Sequence, residues 1–321
     1  MFGAKSGGSR ACLRASRSRR YTGTMCGRGV GATVYLETRR LEGAIEMADS
    51  IKPMAFYCCG IRAEDARSAN PLCGDSYAED FMTSQGWAIL SRFDGHSDAR
   101  TKSVNVVRSR IFQDEIARRL EADKDLQIVN VGAGFDSRPY RLAGGRWFDI
   151  DEPALIAHKN ACLPVETCGN PLRRIPVDFA EGELPAALRQ CDPGAHTLVV
   201  IEGMLMYLDT VRVKELLDQL KDAFPAHTLV CELLDKTFVN RYLRKNAREQ
   251  TEALGSPFLL LEDRPEQLFL GSGYKECGEP ISVVGRALDV KAMTIHIPGF
   301  LFGTVLRSMR DGYRVHTFEF S

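Results

Sequence analysis

Residues 126–142 read LQIVNVGAGFDSRPYRL, a short apolar run that ends in Gly-Ala-Gly and passes into a charged, turn-rich stretch. The run has the length of a β-strand and carries the β-branched residues that favour one. Glycines at its end let the backbone turn sharply, or approach a partner that a Cβ would exclude. In an open α/β sheet, ligands bind beyond the carboxyl ends of the strands. The loop at 132–134 therefore marks a binding position if the surrounding chain is α/β.

The surrounding chain reads that way. RWFDI (146–150), RRIPVDF (173–179), HTLVVIEG (196–203) and HTLVCELL (227–234) follow as further strands, separated by helical stretches. Val, Ile and Leu running almost unbroken through strands that alternate with helices predict a mostly parallel sheet covered on both faces. Between the last two strands, TVRVKELLDQLKDAF sets Val213, Leu216, Leu217 and Leu220 on one helical face. Asp209 or Thr210 is the entry cap of that helix, and Pro225 its stop. Upstream, 76–93 and 103–120 have apolar residues at helical spacing, the second presenting Val104, Val107, Ile111 and Leu120. Residues 236–270 predict a helical insertion over the site, and GYRVHTFEF (312–320) alternates as an antiparallel edge strand.

With 321 residues the chain can bury a large core. Its 42 basic residues balance 42 acidic ones, which gives no general electrostatic case for nucleic acid. No apolar run reaches the roughly 18 residues of a membrane span. The ten cysteines contain no CxxC pair, so they read as reduced thiols of an intracellular protein, not as a zinc site or a disulfide framework. Residues 1–36 differ from the rest, with seven basic residues and no acidic one. That segment reads as a disordered tail, as an over-extended start ahead of Met25, Met47 or Met54, or as organelle targeting. The division is thus an N-terminal extension, 1–50, and a globular domain, 51–321, expected in the cytoplasm unless the extension directs it to an organelle.

A dinucleotide fingerprint, GxGxxG, would need a third glycine where the chain has Ser137, and the phosphate cradle GxxxxGK[ST] is missing. The loop alone leaves a nucleoside site and a plain tight turn equally open. Further strand ends weigh on the choice. Asp149 and Asp151 end the second strand, Asp178 and Phe179 the third, and Glu202 with Gly203 the fourth. A carboxylate can accept both hydroxyls of a ribose, and an Asp-Phe pair suits the edge and face of adenine. An acidic pocket of this kind suits a cationic nucleoside such as S-adenosyl-L-methionine.

VNVGAGFDSRPYRL, FDIDEPALIAHK and IEGMLMYL, with YCCGIRAEDARSANPLCGDSYAEDFM (57–82) ahead of them, resemble the leucine carboxyl methyltransferase family of S-adenosylmethionine-dependent enzymes. The chain looks most like the bacterial-type branch that includes the tetracenomycin polyketide O-methyltransferase. The resemblance covers about residues 55–321. It implies the class I methyltransferase, Rossmann-like α/β fold: a seven-stranded, mostly parallel sheet with its last strand antiparallel, plus a helical cap. It also implies roles for single residues. Gly132 and Gly134 would line the methionine part of the cofactor, and Arg108, with Arg110 as the alternative, would pair with its carboxylate. Asp151 would hold the ribose, Asp178 and Phe179 the adenine, and Glu202 would close the pocket. Tyr207 would stand beside the transferred methyl group. EGMLMYL departs from the eukaryotic phosphatase-modifying members, which favours a small-molecule acceptor over a protein C-terminus.

A carboxylate acceptor, with a pKa near 4, is already ionised and needs no general base, whereas a phenol near 10 usually does. The sequence offers no such base: His158 falls on a helix, and His196 and His227 precede strands. A carboxylate is therefore expected over a hydroxyl. Two readings of Arg138 stay open, a bidentate grip on that carboxylate or a brace for the loop. Tyr207 likewise either meets the acceptor or only packs.

Overall fold

The computed structural model describes residues 51–94, 99–243, 248–249, 251–252, 254–294 and 302–321. The expectation for 1–50 lies outside the described residues. Strand β1 (Gln127–Val131) pairs in parallel with β2 (Arg146–Asp151) on one side and β4 (Thr197–Ile201) on the other. Beyond them lie β3 (Leu172–Pro176) and β5 (His227–Leu234), also parallel. The order β3-β2-β1-β4-β5 changes its direction of travel between β1 and β4, which is where such sheets open a crevice.

The order runs on through β8 (Tyr313–Phe320), which is antiparallel to β5 along its whole length. β8 is not the edge that its alternating pattern suggested. Its far side is covered by β6 (Lys275–Glu276) and β7 (Ile281–Ser282), two short pieces that fill the seventh position of the sheet. Five steps from Glu276 to Ile281 face three steps from Phe318 to Val315. Gly278, at φ 74°, and Pro280 absorb the excess and interrupt the ladder.

In chain order the helices are α1 (Pro53–Ala66), α2 (Ser84–Asp94), α3 (Ala99–Ala122), α4 (Arg138–Arg141), α5 (Pro153–Cys162), α6 (Leu184–Leu188), α7 (Thr210–Ala223), α8 (Lys236–Arg241), α9 (Glu266–Gly271), α10 (Val283–Asp289) and α11 (Phe302–Asp311). Alternate residues of each strand serve opposite faces. Val129, Val131, Val199, Ile201 and Leu229 pack with Val213, Leu216, Leu217 and Leu220 of α7. Ile128, Leu198, Val200 and Val230 pack with Val107, Ile111, Ile116 and Leu120 of α3, and Val104 sits half-buried at the margin. Each such buried side chain is worth roughly 1.5–3 kcal/mol. Asp209 caps α7 by accepting the Arg212 N–H at 2.9 Å, and the helix stops at Ala223, ahead of Pro225.

Two helical expectations need correction. Residues 76–93 are a 3₁₀ turn, Ala78–Phe81, followed by α2, because Thr83 Oγ1 accepts the Gly86 N–H at 3.0 Å and starts a new helix. In 236–270, α8 and α9 are helical, but 255–265 is not, since Gly255 at φ 71°, Pro257 and Pro265 break the pattern. This segment runs past the exit of β4 instead, with the Leu259 N–H donating to the Met206 carbonyl at 2.9 Å. At the other side α1 and the 3₁₀ turn form a cap, in which Phe56 and Phe81 lie against Phe135 of the glycine loop at 5.1 and 5.3 Å between ring centres. Among the described residues, no helix is long and apolar enough to cross a membrane.

Candidate functional site

The glycine loop begins the site. Gly132 and Gly134 have φ of 71° and 50°, in the left-handed region that favours glycine. Their surroundings differ. A Cβ on Gly132 would stand 2.7 Å from Met204 Sδ, so this glycine lets the exits of β1 and β4 pack closely. A Cβ on Gly134 would meet nothing within 4 Å, so it would project into open space. The Gly134 N–H is tied to Asp151 Oδ2 at 2.6 Å, and the Glu152 N–H to Asp151 Oδ1 at 2.7 Å. Burial pushes the Asp151 carboxyl above its ordinary range, and those two N–H groups oppose the shift. Each oxygen keeps a second lone-pair direction for a ligand.

Asp149, the other acid of the second strand, serves the core. It is fully buried, with Lys159 Nζ at 2.7 Å and Arg174 Nε at 3.8 Å from Oδ2. The Val177 N–H donates to the Asp151 carbonyl at 2.9 Å, which brings the exit of β3 beside that of β2. Asp178 is exposed there, its Oδ1 accepting the N–H groups of Ala180 and Glu181 at 2.9 and 3.3 Å. Phe179 is half-buried against the core.

A cluster of charges fills the ground between α3, the glycine loop and the exit of β4. Glu202 Oε1 accepts from Arg108 Nε at 3.2 Å, and Oε2 from Arg138 Nη2 at 2.5 Å. Burial works against ionising Glu202, but Arg138 and Arg108 outweigh it and hold the carboxyl below its usual range. Arg138, expected either as a grip for the acceptor or as a brace, is placed as a brace. It is 2% exposed and also donates to Asp136 at 3.0 Å and to the Ser109 carbonyl at 3.1 Å. Of the two alternatives on α3, Arg110 points outward to Asp114 and the Leu72 carbonyl. Arg108 turns inward, its Nη1 3.4 Å from the Tyr313 hydroxyl and 3.8 Å from Glu232 Oε1. Its Nη2 makes no hydrogen bond among the described residues, and it lies 3.4 Å from where a Cβ on Gly203 would be.

Tyr207 closes a 3₁₀ turn, Leu205–Tyr207, just past β4 and is half-buried, its ring 5.6 Å from that of Phe258. Burial pushes its phenol up, so the hydroxyl stays protonated at neutral pH. Ser137, standing in place of the third glycine, gives its hydroxyl to Asp75 and accepts from Arg141 Nε at 2.9 Å. Arg62 of α1 joins them, bonding Asp75 at 3.0 Å and the Phe135 carbonyl at 2.8 Å. Arg62, Asp75, Glu232 and Tyr313 are neighbours of the candidate site that sequence reasoning missed. Only Glu232 carries a sequence signal, as the lone acid within the apolar run LVCELL (229–234).

Several proteins similar to this chain in sequence or in fold are methyltransferases or candidate methyltransferases. A family model of leucine carboxyl methyltransferases matches residues 55–221. A candidate S-adenosyl-L-methionine-dependent methyltransferase from Mycobacteroides abscessus is 30% identical over 199 residues, 55% of this chain and 62% of the relative. The chain thus spans a little under two thirds of that protein's length. A second such candidate, from Frankia alni, is 30% identical over 192 residues, 56% of this chain and 67% of the relative. Among solved structures, a candidate methyltransferase from Thermobifida fusca superposes with a TM-score of 0.52 at 16% identity, covering 81% of this chain and 94% of that one. The sheet order, with its reversed strand, and the cap match the class I methyltransferase architecture. By its sequence match, over just more than half its length, the chain belongs to the leucine carboxyl methyltransferase family.

Proposed function

We propose that this protein is an S-adenosyl-L-methionine-dependent O-methyltransferase acting on a carboxylate of a small molecule. The observation that carries this reading is the convergence, at the exits of β1, β2 and β4, of an open glycine, a buried ribose-grade carboxylate and an arginine with a spare donor. Asp151 has one unused lone-pair direction on each oxygen, which suits vicinal hydroxyls. Gly134 leaves open the space that a Cβ would fill. Arg108 Nη2 has no hydrogen bond among the described residues and so can receive a carboxylate in this reading, which assigns Asp178 and Phe179, at the exit of β3, to the adenine edge and face.

Bound there, the cofactor supplies a methyl group made electrophilic by its sulfonium. The protein's share is orientation, which can supply roughly 7–11 kcal/mol of barrier reduction. Tyr207, protonated, offers a hydrogen-bond donor to an acceptor oxygen and is no general base. The described histidines near the earlier strands are engaged elsewhere: His158 with the Phe81 carbonyl, His196 with Asp123, and His227 with Tyr274. A carboxylate needs none of them.

Incubating the enzyme with methyl-labelled cofactor and a small-molecule extract tests the reading by mass spectrometry. A labelled small molecule that loses its label in mild base, as an ester does, is the expected product. Label found only on protein C-termini, or only as base-stable ethers, would overturn it.

A further inference from the structure

Glu232 is the least compensated acid of the charge cluster. It sits on β5, is 1% exposed, and accepts the Gly203 N–H on Oε1 at 2.5 Å. Its Oε2 is buried with no hydrogen-bond partner among the described residues. The groups facing it are Arg108 from α3, Glu202 from the exit of β4, Tyr313 from β8, Tyr207 from the 3₁₀ turn, and its neighbour Cys231. Arg108 is the one cation of that set, and it stands nearer Glu202, at 3.2 Å, than Glu232, at 3.8 Å.

We propose that Glu232 takes up a proton from solvent, on Oε2, when an anionic group binds at Arg108, so that binding of the cofactor's carboxylate and protonation of Glu232 are linked. The linkage rests on the reading above, in which Arg108 receives that carboxylate. The incoming group is then the third carboxylate sharing one guanidinium, and neighbouring like charges in a buried site raise one another's proton affinity. Glu202 does not take the proton, because it has a second arginine, Arg138. Glu232 has none, and burial, against the pull of Arg108, already lifts its carboxyl to about 7. Oε1 keeps its Gly203 N–H, and the proton goes to the oxygen that lacks a partner. As a neutral acid, Glu232 stops competing with the ligand for Arg108.

The sign follows. Binding raises the proton affinity of Glu232, so affinity for the ligand is level below pH about 7 and falls as the pH rises above it. Titration calorimetry with S-adenosylhomocysteine, in phosphate and in Tris at pH 8, reads the protons exchanged. Wild type is expected to take up on the order of half a proton per ligand. Glu232→Gln is expected to show only the small uptake of the ligand's own amine. A wild-type uptake equal to that of the variant overturns the linkage while leaving the cofactor reading intact. No binding at all overturns both. If Glu232→Gln fails to fold, the wild-type pH profile decides. Uptake that peaks between pH 7 and 8.5 and vanishes below 6 supports the linkage, and uptake that only climbs toward the amine's range refutes it.

Discussion

Replacing Asp151 by asparagine probes the proposed cofactor site with little change of shape. The carboxylate now accepts two backbone N–H groups, from Gly134 at 2.6 Å and Glu152 at 2.7 Å, one on each oxygen. An amide has one acceptor oxygen and two donors, so it can satisfy one of those N–H groups and must turn its NH₂ toward the other. Leaving one buried N–H unpaired costs roughly 1–3 kcal/mol. Loss of the buried charge works the other way, because burial disfavours the ionised carboxyl. Fold stability is therefore expected to drop by less than about 3 kcal/mol. Ligand binding suffers more selectively. A hydrogen bond to a charged group contributes about 1.5–3 kcal/mol, so S-adenosylhomocysteine should bind roughly 10- to 150-fold more weakly to Asp151→Asn. Asp151→Ala removes both acceptors and should bind more weakly still. Calorimetric titration gives the affinity, and circular-dichroism melts show whether unfolding stays cooperative. A cooperative Asp151→Asn variant that binds within threefold of wild type would refute the reasoning, and Asp151 would then be only a clasp for the glycine loop.

Two further substitutions test the ground on which the site stands. Lys159→Met removes the nearest cation from the fully buried Asp149 carboxylate, leaving Arg174 at 3.8 Å, and should cost about 3–5 kcal/mol in urea denaturation. Adding Asp149→Leu should recover much of that loss, and no recovery would mean that Asp149 has other essential partners. Gly132→Ala should destabilise by about 1–2 kcal/mol from its left-handed φ of 71°, with a further cost from the Met204 sulfur 2.7 Å away. Met204→Ala should relieve only the second part, which a double-mutant cycle of melting curves measures directly.

The sheet is legible in the sequence because its central strands β1 and β4 are buried on both faces, and apolar runs such as LVVI have few other uses. β6 and β7 are not legible. Two residues each, split by Gly278 and Pro280, they pair only because β8 offers an open ladder, and that is a tertiary fact. Acids at strand ends single out one end of the sheet as the candidate region, but sequence does not separate Asp149 from Asp151. Two residues apart, both point to the same side of β2, and only the position of Lys159 on α5 marks the first as structural. Arg62 and Asp75 escaped for a similar reason. They touch the glycine loop from the cap, and their spacing along the chain carries no periodic signal.

Placing Arg138 as a brace changes where acceptor recognition must be sought. Its guanidinium donates to Asp136, Ser109 and Glu202 and so ties the glycine loop to α3 and to the exit of β4. Turning it out to meet an acceptor would leave Asp136 and Glu202 buried with a cation removed, a loss of about 3–5 kcal/mol. A charged hydrogen bond to the acceptor returns only about 1.5–3 kcal/mol, so the exchange is unfavourable and Arg138 stays in place. What adjoins Tyr207 instead is the strip from Phe258 to Leu261, tied down by the Leu259 N–H on the Met206 carbonyl. Leu259 and Leu261 are 48% and 36% exposed, large apolar side chains left open beside a protonated phenol. If the acceptor is a carboxylate, its affinity then comes from burying an apolar body against this strip, with Tyr207 steering one oxygen. Leu259→Asp and Leu261→Asp should accordingly raise the KM for the acceptor and leave S-adenosylhomocysteine binding unchanged. Arg138→Lys, by contrast, should show its first effect in the melting temperature. An Arg138→Lys variant of wild-type stability with a much raised acceptor KM would return the grip to Arg138.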